Sequence, residues 1–359
     1  MSLYHIPLLP LSPEIETSAI LKKTIKANKV IAELKGMAQT IPNQSILINT
    51  LSLQESKDSS EIESIVTTHD ELFRFDQNNL ILSSPAAKEV HFYNKALYYG
   101  VQEIKKRPIS NTLLVEIGKI ISASVQSFRK MPGTKLINSI NGEVVYTPPQ
   151  NQEEIEKYMK NLEIFINDDS ISPLDPLVKM AIIHHQFESI HPFHDGNGRT
   201  GRILNILYLI SQGVLDIPIL YLSRYITQNK AKYYELLQKV RDENNWEDWI
   251  LFMLDALEST AKQSIQSIEE IKKLMVSYKK NLKEQTKFYS HELINNLFRH
   301  PYTKIEFVMQ DVNLSRITAA KYLNILVEIG LLKKQKVGKT NYYINENLLK
   351  LFTNINYQK

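Results

Sequence analysis

The segment from Asp175 to Gly213 constrains the fold of this chain more than any other stretch. Asp175 and Pro176 form an N-cap and a first-turn proline, and apolar residues then recur at helical spacing until Pro192 interrupts the pattern. A second helix, apolar on nearly all of its sides, is predicted from Ile203 until Gly213 ends it. Because a helix of this kind must be buried, the segment predicts two helices and a connecting loop at the centre of a helical bundle.

The loop between these helices reads His-Pro-Phe-His-Asp-Gly-Asn-Gly-Arg-Thr-Gly-Arg, starting at His191. A helix N-terminus exposes unpaired N–H groups and a partial positive charge, and glycine lets an anion approach that backbone closely. Three glycines, two arginines and a carboxylate exceed what a structural turn requires, so the loop predicts a nucleotide phosphate site. The predicted nucleotide-binding residues are Gly196, Asn197, Gly198, Arg199, Gly201 and Arg202.

Two side chains of this loop are candidates for chemistry. Asp195 can hold a magnesium ion that bridges phosphates, and His191 can take up a proton near neutral pH. Zinc is the alternative, because four histidines are clustered, although the chain has no cysteine and no His-Glu-x-x-His pattern. These histidines are His184, His185, His191 and His194.

The twelve residues match the signature of the Fic family, His-Pro-Phe-x-(Asp/Glu)-Gly-Asn-Gly-Arg-x-x-Arg, at every specified position. The chain thus resembles Fic proteins, which implies a mainly α-helical fold and transfer of AMP from magnesium-bound ATP to a Ser, Thr or Tyr hydroxyl of a protein. By this resemblance His191 deprotonates the hydroxyl that attacks the α-phosphate, and Asp195 carries Mg²⁺. The resemblance assigns the α- and β-phosphates to Asn197 and Gly198, and the outer phosphates to Arg199 and Arg202.

The sequence Ser-Ser-Glu-Ile-Glu-Ser, beginning at Ser59, resembles the inhibitory element of Fic proteins, (Ser/Thr)-x-x-x-Glu-(Gly/Asn). The resemblance implies that Glu63 pairs with Arg202 and blocks the γ-phosphate. Since Ser64 departs from the family pattern, we expect the helix to end differently here. The residues alone also allow a capping box at a helix N-terminus, formed by Ser60 and Glu63.

β-Forming residues flank the pair Asn141-Gly142, which predicts a tight hairpin. Alone this would be a surface hairpin. In Fic proteins a hairpin in this position is the flap, an exposed edge on which the target segment lies as an added strand. The resemblance makes Met131, Gly133, Thr134, Val144 and Tyr146 the predicted target-binding residues.

The segment that starts at Asn229 resembles the part of Fic proteins that shapes the adenine pocket. The resemblance implies nucleotide contacts from Asn229 and from Tyr233, whose ring would stack on the base. The alternative is that Tyr233 lies in the core of an amphipathic helix, with its hydroxyl group hydrogen-bonded.

The C-terminal part of the chain predicts a separate module. Residues 254–287 have few turn signals and predict a long connecting helix. Short helices are predicted over 290–298, over 304–309 and from Ser315, which serves as an N-cap, and a hairpin with Gly338 at its tip follows. This order resembles a winged helix-turn-helix.

Such modules bind DNA or serve only in protein contacts. If this one binds DNA, the helix that starts at Ser315 enters the major groove and the hairpin contacts the backbone. Six basic side chains oppose two acidic ones between residues 311 and 343. The candidate DNA contacts are Arg316, Lys321, Lys336 and Lys339.

Composition fits a globular enzyme of 359 residues with 43% hydrophobic residues and a net charge of +4, which is too small to require a nucleic acid. No run is long enough to span a membrane, the N-terminus lacks a secretory signal, and without cysteine there are no disulfides. We therefore expect a cytoplasmic protein with no membrane contact. The predicted parts are a helical N-terminal region with the inhibitory helix (1–100), a Fic domain (101–253) with its flap (128–149), a connecting helix (254–288) and a winged-helix domain (289–359).

The leading hypothesis is an autoinhibited protein adenylyltransferase with ATP as co-substrate and Mg²⁺. Its partner would be a protein with an exposed hydroxyl side chain, which could be the chain itself, and the resemblance also implies homodimers. One alternative is a winged-helix DNA-binding regulator whose nucleotide pocket acts as a sensor. Another is a Fic enzyme that removes AMP or transfers a different phosphate-linked group.

Overall fold

The structure is a computed structural model that describes residues 4–11, 15–41, 43–68, 71–72, 84–137, 142–337 and 340–354. Its helices are α1 (Ser18–Gln39), α2 (Ser45–Ile62), α3 (Pro85–Glu103), α4 (Asn111–Ile121), α5 (Gln152–Asn167), α6 (Pro176–Ile190), α7 (Asn197–Ser211), α8 (Ser223–Gln228), α9 (Lys230–Glu243), α10 (Trp246–Gln285), α11 (His291–Arg299), α12 (Ile305–Val312), α13 (Arg316–Glu328) and α14 (Glu346–Asn354). The strands are β1 (Leu136–Ile137), β2 (Val144–Tyr146), β3 (Tyr302–Thr303), β4 (Lys333–Val337) and β5 (Thr340–Ile344). The predicted mainly α-helical fold is confirmed.

The helices α6 and α7 form the centre of the bundle, as the sequence predicts. Every residue of α6 from Leu177 to Ile190 is buried, and so is most of α7. The side chain of Asp175 caps α6 by accepting a hydrogen bond of 2.8 Å from the N–H of Leu177. Each buried leucine or isoleucine side chain contributes roughly 1.5–3 kcal/mol, so apolar burial holds this pair in place.

The helix α10 begins earlier than predicted, at Trp246 rather than at Leu254. Asn245 caps it by accepting a hydrogen bond of 3.2 Å from the N–H of Asp248. The indole N–H of Trp249 donates to the carbonyl of Ala181 in α6 at 2.8 Å. The predicted start of the connecting helix was therefore wrong, because the first turns of α10 belong to the central bundle.

The described C-terminal part contains the helices α11 to α14 and an antiparallel sheet in the order β3-β5-β4. Ser315 caps α13 as predicted, because its hydroxyl accepts a hydrogen bond of 3.2 Å from the N–H of Thr318. This order is compatible with a winged helix-turn-helix, which stays a prediction. The predicted tip, Gly338 with Lys339, lies outside the described residues.

Contacts join this C-terminal part to the rest of the chain. The hydroxyl of Tyr278 in α10 donates to the carbonyl of Leu331 at 2.8 Å, and α11 packs against α2. The helix with the predicted inhibitory element is thus in contact with the C-terminal part. No helix in the described part of the chain is both long and apolar enough to span a membrane.

The two strands of the predicted hairpin are present as an antiparallel pair, and their role as a flap stays a prediction. Leu136 in β1 lies opposite Tyr146 in β2, and Ile137 lies opposite Val144. Of the predicted turn pair, Asn141 lies outside the described residues, and Gly142 has a φ of +73°, a conformation that favours glycine.

Candidate active site

The predicted phosphate site lies at the N-terminus of α7. Gly196 precedes this helix with a φ of +77°, which few other residues adopt without strain. The carboxamide of Asn197 accepts a hydrogen bond from the N–H of Phe193 and donates one to its carbonyl, both of 2.8 Å. The side chain of Asn197 therefore shapes the loop, and only its main-chain N–H is left for a phosphate.

Two glycines of the loop let acidic side chains approach the backbone closely. A Cβ at Gly198 would lie 2.3 Å from Oε1 of Glu63, and one at Gly201 would lie 2.8 Å from Oε1 of Glu188. The carboxylate of Glu63 thus lies against the exposed N–H groups at the start of α7, where an anion is favoured. It stands in for the phosphate that the resemblance places there.

The predicted contact between Glu63 and Arg202 is present. Nη2 of Arg202 donates to Oε1 of Glu63 at 2.9 Å and to the carbonyl of Ser59 at 2.9 Å, and its Nε donates to the Ser59 hydroxyl at 2.8 Å. Arg202 is only 3% exposed, whereas the Glu63 side chain is 35% exposed. Since the Glu63 side chain faces water and Arg202 is buried, Glu63 is the partner that can leave this ion pair.

The helix that carries Glu63 ends in a left-handed turn. The N–H of Ile65 donates to the carbonyl of Ser60 at 3.0 Å, and that of Ser64 donates to Glu61 at 2.9 Å. Ser64 has a φ of +65°, the conformation that glycine or asparagine favours at this position. The expectation of a different helix end was therefore wrong, and the capping box was wrong too, because Ser60 lies at the C-terminal end of α2.

The ammonium group of Lys230 supports the same helix end. Its Nζ donates to the carbonyl of Ile62 at 2.6 Å. A cation at a helix C-terminus is favourable because the last carbonyls carry partial negative charge. Sequence analysis missed Lys230, since α2 and α9 are far apart in the chain.

The C-terminal half of α2 is buried through polar side chains. Tyr93 donates from its hydroxyl to the buried carboxylate of Glu55 at 2.8 Å. The buried apolar residues of α2 lie in its first two turns, apart from Ile62. The other buried polar side chains of α2 after its second turn are Ser52, Ser56, Asp58, Ser59 and Ser60.

The catalytic candidate His191 follows α6 in a left-handed conformation with a φ of +50°. Its carbonyl accepts a hydrogen bond of 2.8 Å from Nε of Arg129, whose own N–H donates to the carbonyl of Pro192 at 2.8 Å. The same guanidinium also donates to the carbonyl of Pro149. Arg129 therefore ties the loop to both ends of the flap segment, a role that nothing in the sequence signals.

The imidazole of His191 is neutral at pH 7. Burial lowers the pKa of His191 to about 4, and the guanidinium groups of Arg129 and Arg241 lower it as well. Its Nδ1 has no hydrogen-bond partner among the described residues. His191 as a whole residue is half-buried, so a group that enters the site can reach it and give up a proton to its ring.

Besides Glu63, a second acidic residue, Glu188, borders the site one turn before His191. Sequence analysis also missed Glu188. It is 8% exposed, and its Oε1 has no hydrogen-bond partner in the described part of the chain. Burial raises the pKa of Glu188 to about 7, Arg202 lowers it, and Glu63 raises it. The N-terminal end of α7 thus lies beside a carboxyl group that is partly protonated at neutral pH.

Arg199, the other arginine of the signature, is paired as well. Nη1 of Arg199 donates to Glu89 in α3 at 2.8 Å, and its Nη2 lies 3.4 Å from Oδ1 of Asp195. The buried Nε of Arg199 has no partner among the residues described, which leaves a donor for a phosphate. The exposed carboxylate of Asp195 fits Mg²⁺, which binds through one or two carboxylates together with substrate phosphates and water.

The other histidines have different surroundings. His184 lies in the core, with Nε2 2.9 Å from the hydroxyl of Tyr233 and Nδ1 3.1 Å from Asn205. His185 bonds to a carbonyl of α9, and His194 is exposed. The zinc alternative finds no support, because the described residues contain no group of three or more potential ligands.

The predicted role of Tyr233 in base stacking is wrong. Tyr233 is 2% exposed and packs against Trp249, with 5.7 Å between the ring centroids. The neighbouring Tyr234 is 46% exposed. Burial is the main reason why the pKa of its hydroxyl is raised, and the nearby carboxylate of Glu63 is the second reason. Asn229 is half-buried just before α9 and donates from its amide to the carbonyl of Tyr225 at 2.9 Å.

The flap residues differ in exposure. Met131 and Gly133 are exposed, whereas Thr134 and Val144 are half-buried. Tyr146 is 6% exposed and donates from its hydroxyl to a carbonyl of α6 at 2.9 Å, so its side chain packs on α6, and its contact with a target stays a prediction. The exposed side chains of the strands that the prediction omitted are Ile137 and Val145.

The candidate DNA contacts are only partly available. Nη1 of Arg316 pairs with Glu306 at 2.7 Å. Lys321 and Lys336 are exposed, and Lys339 lies outside the described residues. DNA binding stays a prediction.

Comparison with known families and proteins decides the family. The Fic/DOC family N-terminal model matches residues 21–102 and the Fic/DOC family model matches 101–209, so together they cover more than half of the chain. The chain belongs to the Fic/DOC family. Residues 274–348 match the model of the C-terminal domain of SoFic-like protein adenylyltransferase.

Similar proteins carry related names. A probable protein adenylyltransferase from Aquifex aeolicus is 24% identical over 80% of this chain and 83% of its own length. Protein adenylyltransferase Fic from Drosophila erecta is 32% identical, but the chain spans only 21% of that protein, and it spans 33% of fic-1 from Caenorhabditis elegans. A Fic family protein from Desulfovibrio desulfuricans G20 has the same fold, with a TM-score of 0.60, 20% identity and coverage of 93% of this chain and 98% of that one.

Proposed function

We propose that this chain is a protein adenylyltransferase that Glu63 holds in an inhibited state. Membership in the Fic/DOC family and the names of its relatives support the activity. The observation that carries the inhibited state is the carboxylate of Glu63, which lies over Gly198 and pairs with Arg202 where a phosphate would bind. ATP is the co-substrate, and a protein hydroxyl is the acceptor.

In the proposed reaction His191 takes the proton of the target hydroxyl. The hydroxyl oxygen forms a bond to the α-phosphorus of ATP, the bond from that phosphorus to the β-phosphate bridge breaks, and pyrophosphate leaves. The neutral imidazole described above is in the correct state to act as this base, which contributes roughly 10²- to 10⁴-fold to such reactions. An incoming triphosphate raises the proton affinity of His191 from this lowered value, because it is an anion.

The residues around the N-terminus of α7 would hold the triphosphate. The main-chain N–H groups at Gly198 and Asn197 face the α- and β-phosphates, and the unpartnered Nε of Arg199 faces the outer phosphates. Asp195 would hold Mg²⁺, which supplies charge neutralisation for the phosphates when it is bound.

Release of Glu63 would open the site for the γ-phosphate at Arg202. The polar contacts of the second half of α2 make this release feasible, because a net hydrogen bond contributes only about 1 kcal/mol. The flap would then hold the target as an added strand against Met131 and Thr134, next to His191.

The chain offers a matched pair of variants to test this proposal. Glu63→Gly should raise incorporation of label from α-labelled ATP, and His191→Ala in the same background should abolish it. Glu61→Gly introduces the same flexibility two residues earlier without touching Arg202, and because it only loosens the helix it should raise labelling far less than Glu63→Gly does. Equal labelling in the Glu63→Gly and Glu61→Gly proteins would contradict inhibition by Glu63.

Mass spectrometry of the Glu63→Gly protein, incubated with ATP, Mg²⁺ and cell lysate, would identify peptides heavier by one AMP. We propose a target that acts in the cytoplasm, with the chain itself and a homodimer partner among the candidates. If no peptide gains the mass of AMP in this experiment although the protein binds ATP, a different transferred group is favoured. Comparison of labelled donors would then identify that group.

DNA binding by the C-terminal part is the second candidate function. The exposed Lys321 and the strongly exposed Ile317 on α13 favour it, and the ion pair of Arg316 with Glu306 opposes it. A mobility-shift assay at two salt concentrations would decide, because lysine contacts to phosphates weaken steeply with salt. Absence of a shift at low salt would remove this function.

A further inference from the structure

A cavity of 220 Å³ lies where three parts of the chain meet, away from the catalytic loop. One wall comes from α2, a second from α3, and a third from His300, the residue that follows α11. We call it the α2–α3 cavity. Its described lining residues are Asn49, Leu53, Leu72, Ala87, His91, Asn94, Tyr98 and His300.

One side of the α2–α3 cavity is apolar. Leu72, Ala87 and Val90 form a buried cluster of their own, separate from the main core, and Leu53 packs against it. Such a wall suits the flat face of a ring, because apolar surface gains about 25 cal/mol per Å² when it leaves water.

The other side is polar, and its two histidines are uncharged. Burial lowers the pKa of His300 to about 4 and also lowers the pKa of His91, so both rings are neutral at pH 7. None of the lining residues described above is an aspartate, a glutamate, a lysine or an arginine. Lys95 lies near His91, and Arg299 and Lys304 lie near His300, and their positive charges lower these pKa values too. A cation placed here would lose its hydration and meet like charges, so the cavity selects against cationic ligands.

The polar side also contains an acceptor that has no donor. The hydroxyl of Tyr98 donates to Oδ1 of Asn49 at 2.7 Å. By contrast, Oδ1 of Asn94 is buried and has no hydrogen-bond partner in the described part of the chain. A buried acceptor without a donor is unfavourable, so a ligand that brings an N–H group to Asn94 recovers a lost hydrogen bond.

The volume limits the size of the ligand. A cavity of about 150 Å³ in another protein accepts benzene, so 220 Å³ accepts a small bicyclic ring. Asparagine side chains next to aliphatic surface are also the chemistry that proteins use to bind the edges and faces of bases. We propose that the α2–α3 cavity binds a small, flat, uncharged heterocycle with an N–H donor, of the size of a nucleobase.

Binding at this place would act on α2. Asn49 and Leu53 belong to the helix that ends at Glu63, and α11 packs against the same helix. A ligand that contacts both α2 and His300, the residue after α11, holds α2 in its docked position. It therefore favours the state in which Glu63 covers Gly198. This regulatory part rests on the proposed function. Ligand at ten times its dissociation constant would lower the population of released α2, and with it basal labelling, about tenfold.

Titration calorimetry with adenine tests the site without any transfer reaction. The wild-type protein should bind adenine with saturation, and Ala87→Phe and Asn94→Leu should each abolish the binding. Ala86→Phe is the matched control, since Ala86 precedes Ala87 on α3 and does not line the cavity, and it should keep the binding. Circular dichroism and thermal melting would verify that each variant is folded. If Ala87→Phe is not folded, adenine binding by Asn94→Leu decides whether the cavity is the site.

Competition separates this site from the catalytic loop. Excess of a non-hydrolysable ATP analogue should leave adenine bound, and AMP should fail to displace it, because the base alone fills a cavity of 220 Å³. The proposal is overturned if adenine, guanine, cytosine and uracil all fail to bind with saturation below about 1 mM, or if the ATP analogue displaces adenine. Binding that persists in a folded Asn94→Leu protein would overturn it equally.

Labelling assays test the regulatory part. Saturating adenine should lower the basal labelling of the wild type about tenfold and leave that of the Glu63→Gly and Asn94→Leu proteins unchanged. Binding with no change in wild-type labelling would overturn the regulatory part. If no variant labels any protein, the proposed function fails, and the calorimetric result still decides the site.

Discussion

The central helices and the helix α2 both border the candidate active site, but different interactions hold them. The helix α6 buries every residue from Leu177 to Ile190, most of them apolar or aromatic, and α7 is buried in the same way. The second half of α2 buries serines and acids instead. Because apolar burial contributes more per side chain than a hydrogen bond, the loop between α6 and α7 has a rigid support and Glu63 has a removable one.

Truncation of one buried side chain in each region would test this comparison directly. Leu204→Ala in α7 should lower the free energy of unfolding by about 2–5 kcal/mol, because it leaves a cavity in the core. Ser56→Ala in α2 loses one hydrogen bond to a carbonyl of its own helix and should cost about 1 kcal/mol or less. Urea unfolding of both proteins measures the two values. Equal losses would show that α2 is as firmly anchored as the centre.

The pH dependence of stability is the next test, and it concerns the central helix α6 through its buried Glu188. Since the pKa of Glu188 is about 7 in the folded chain and about 4.3 in the unfolded one, the protonated form is favoured on folding. The folded state thus binds more protons between these values, so Glu188 makes stability fall as pH rises from about 4.3 to 7, by about 3 kcal/mol in total.

Glu188→Gln removes this dependence. The difference in unfolding free energy between the variant and the wild type should therefore grow in favour of the variant between pH 5 and pH 8. Urea unfolding at both values measures it. A constant difference over this range would show that Glu188 titrates normally.

A third experiment tests whether the loop depends on its contact with the flap. Arg129→Met, made in the Glu63→Gly background, removes the hydrogen bonds to the carbonyls of His191 and Pro149 and should lower kcat about tenfold to a hundredfold. The KM for ATP should change little, because Arg129 positions the base and does not contact the phosphate site. Lys130→Met, at the exposed next residue, should keep full activity. A loss confined to KM would contradict a positioning role.

The smallest expected effect is at the end of α2. Ser64→Gly relieves the left-handed conformation and should stabilise the docked helix by about 0.5–1 kcal/mol, which lowers basal labelling about twofold to fivefold. Ser64→Val, which is β-branched, should have the opposite effect. Quantitative labelling of the three proteins decides, and an increase for glycine would refute this account of the helix end.

Sequence patterns were sufficient for the elements that depend on neighbours in the chain. The cap at Asp175, the apolar helix that Gly213 ends and the cap at Ser315 follow from local chemistry, and each is present in the structure. The signature loop, together with the element that starts at Ser59, was enough to predict the contact between Glu63 and Arg202 through resemblance to the Fic family. Local signals failed at Tyr233, where the helix periodicity is the same for a buried ring as for one that faces a nucleotide.

What the sequence alone determined is the chemistry of the loop and the order of the helices, because glycines, caps and apolar spacing act over a few residues. Only the tertiary structure decided which side chains face one another across distant segments. It placed Arg129 behind His191, left an oxygen of Glu188 without a partner among the described residues, and brought His300 and Asn94 to the same cavity. These contacts arise from the packing of helices far apart in the chain, and no local pattern encodes them.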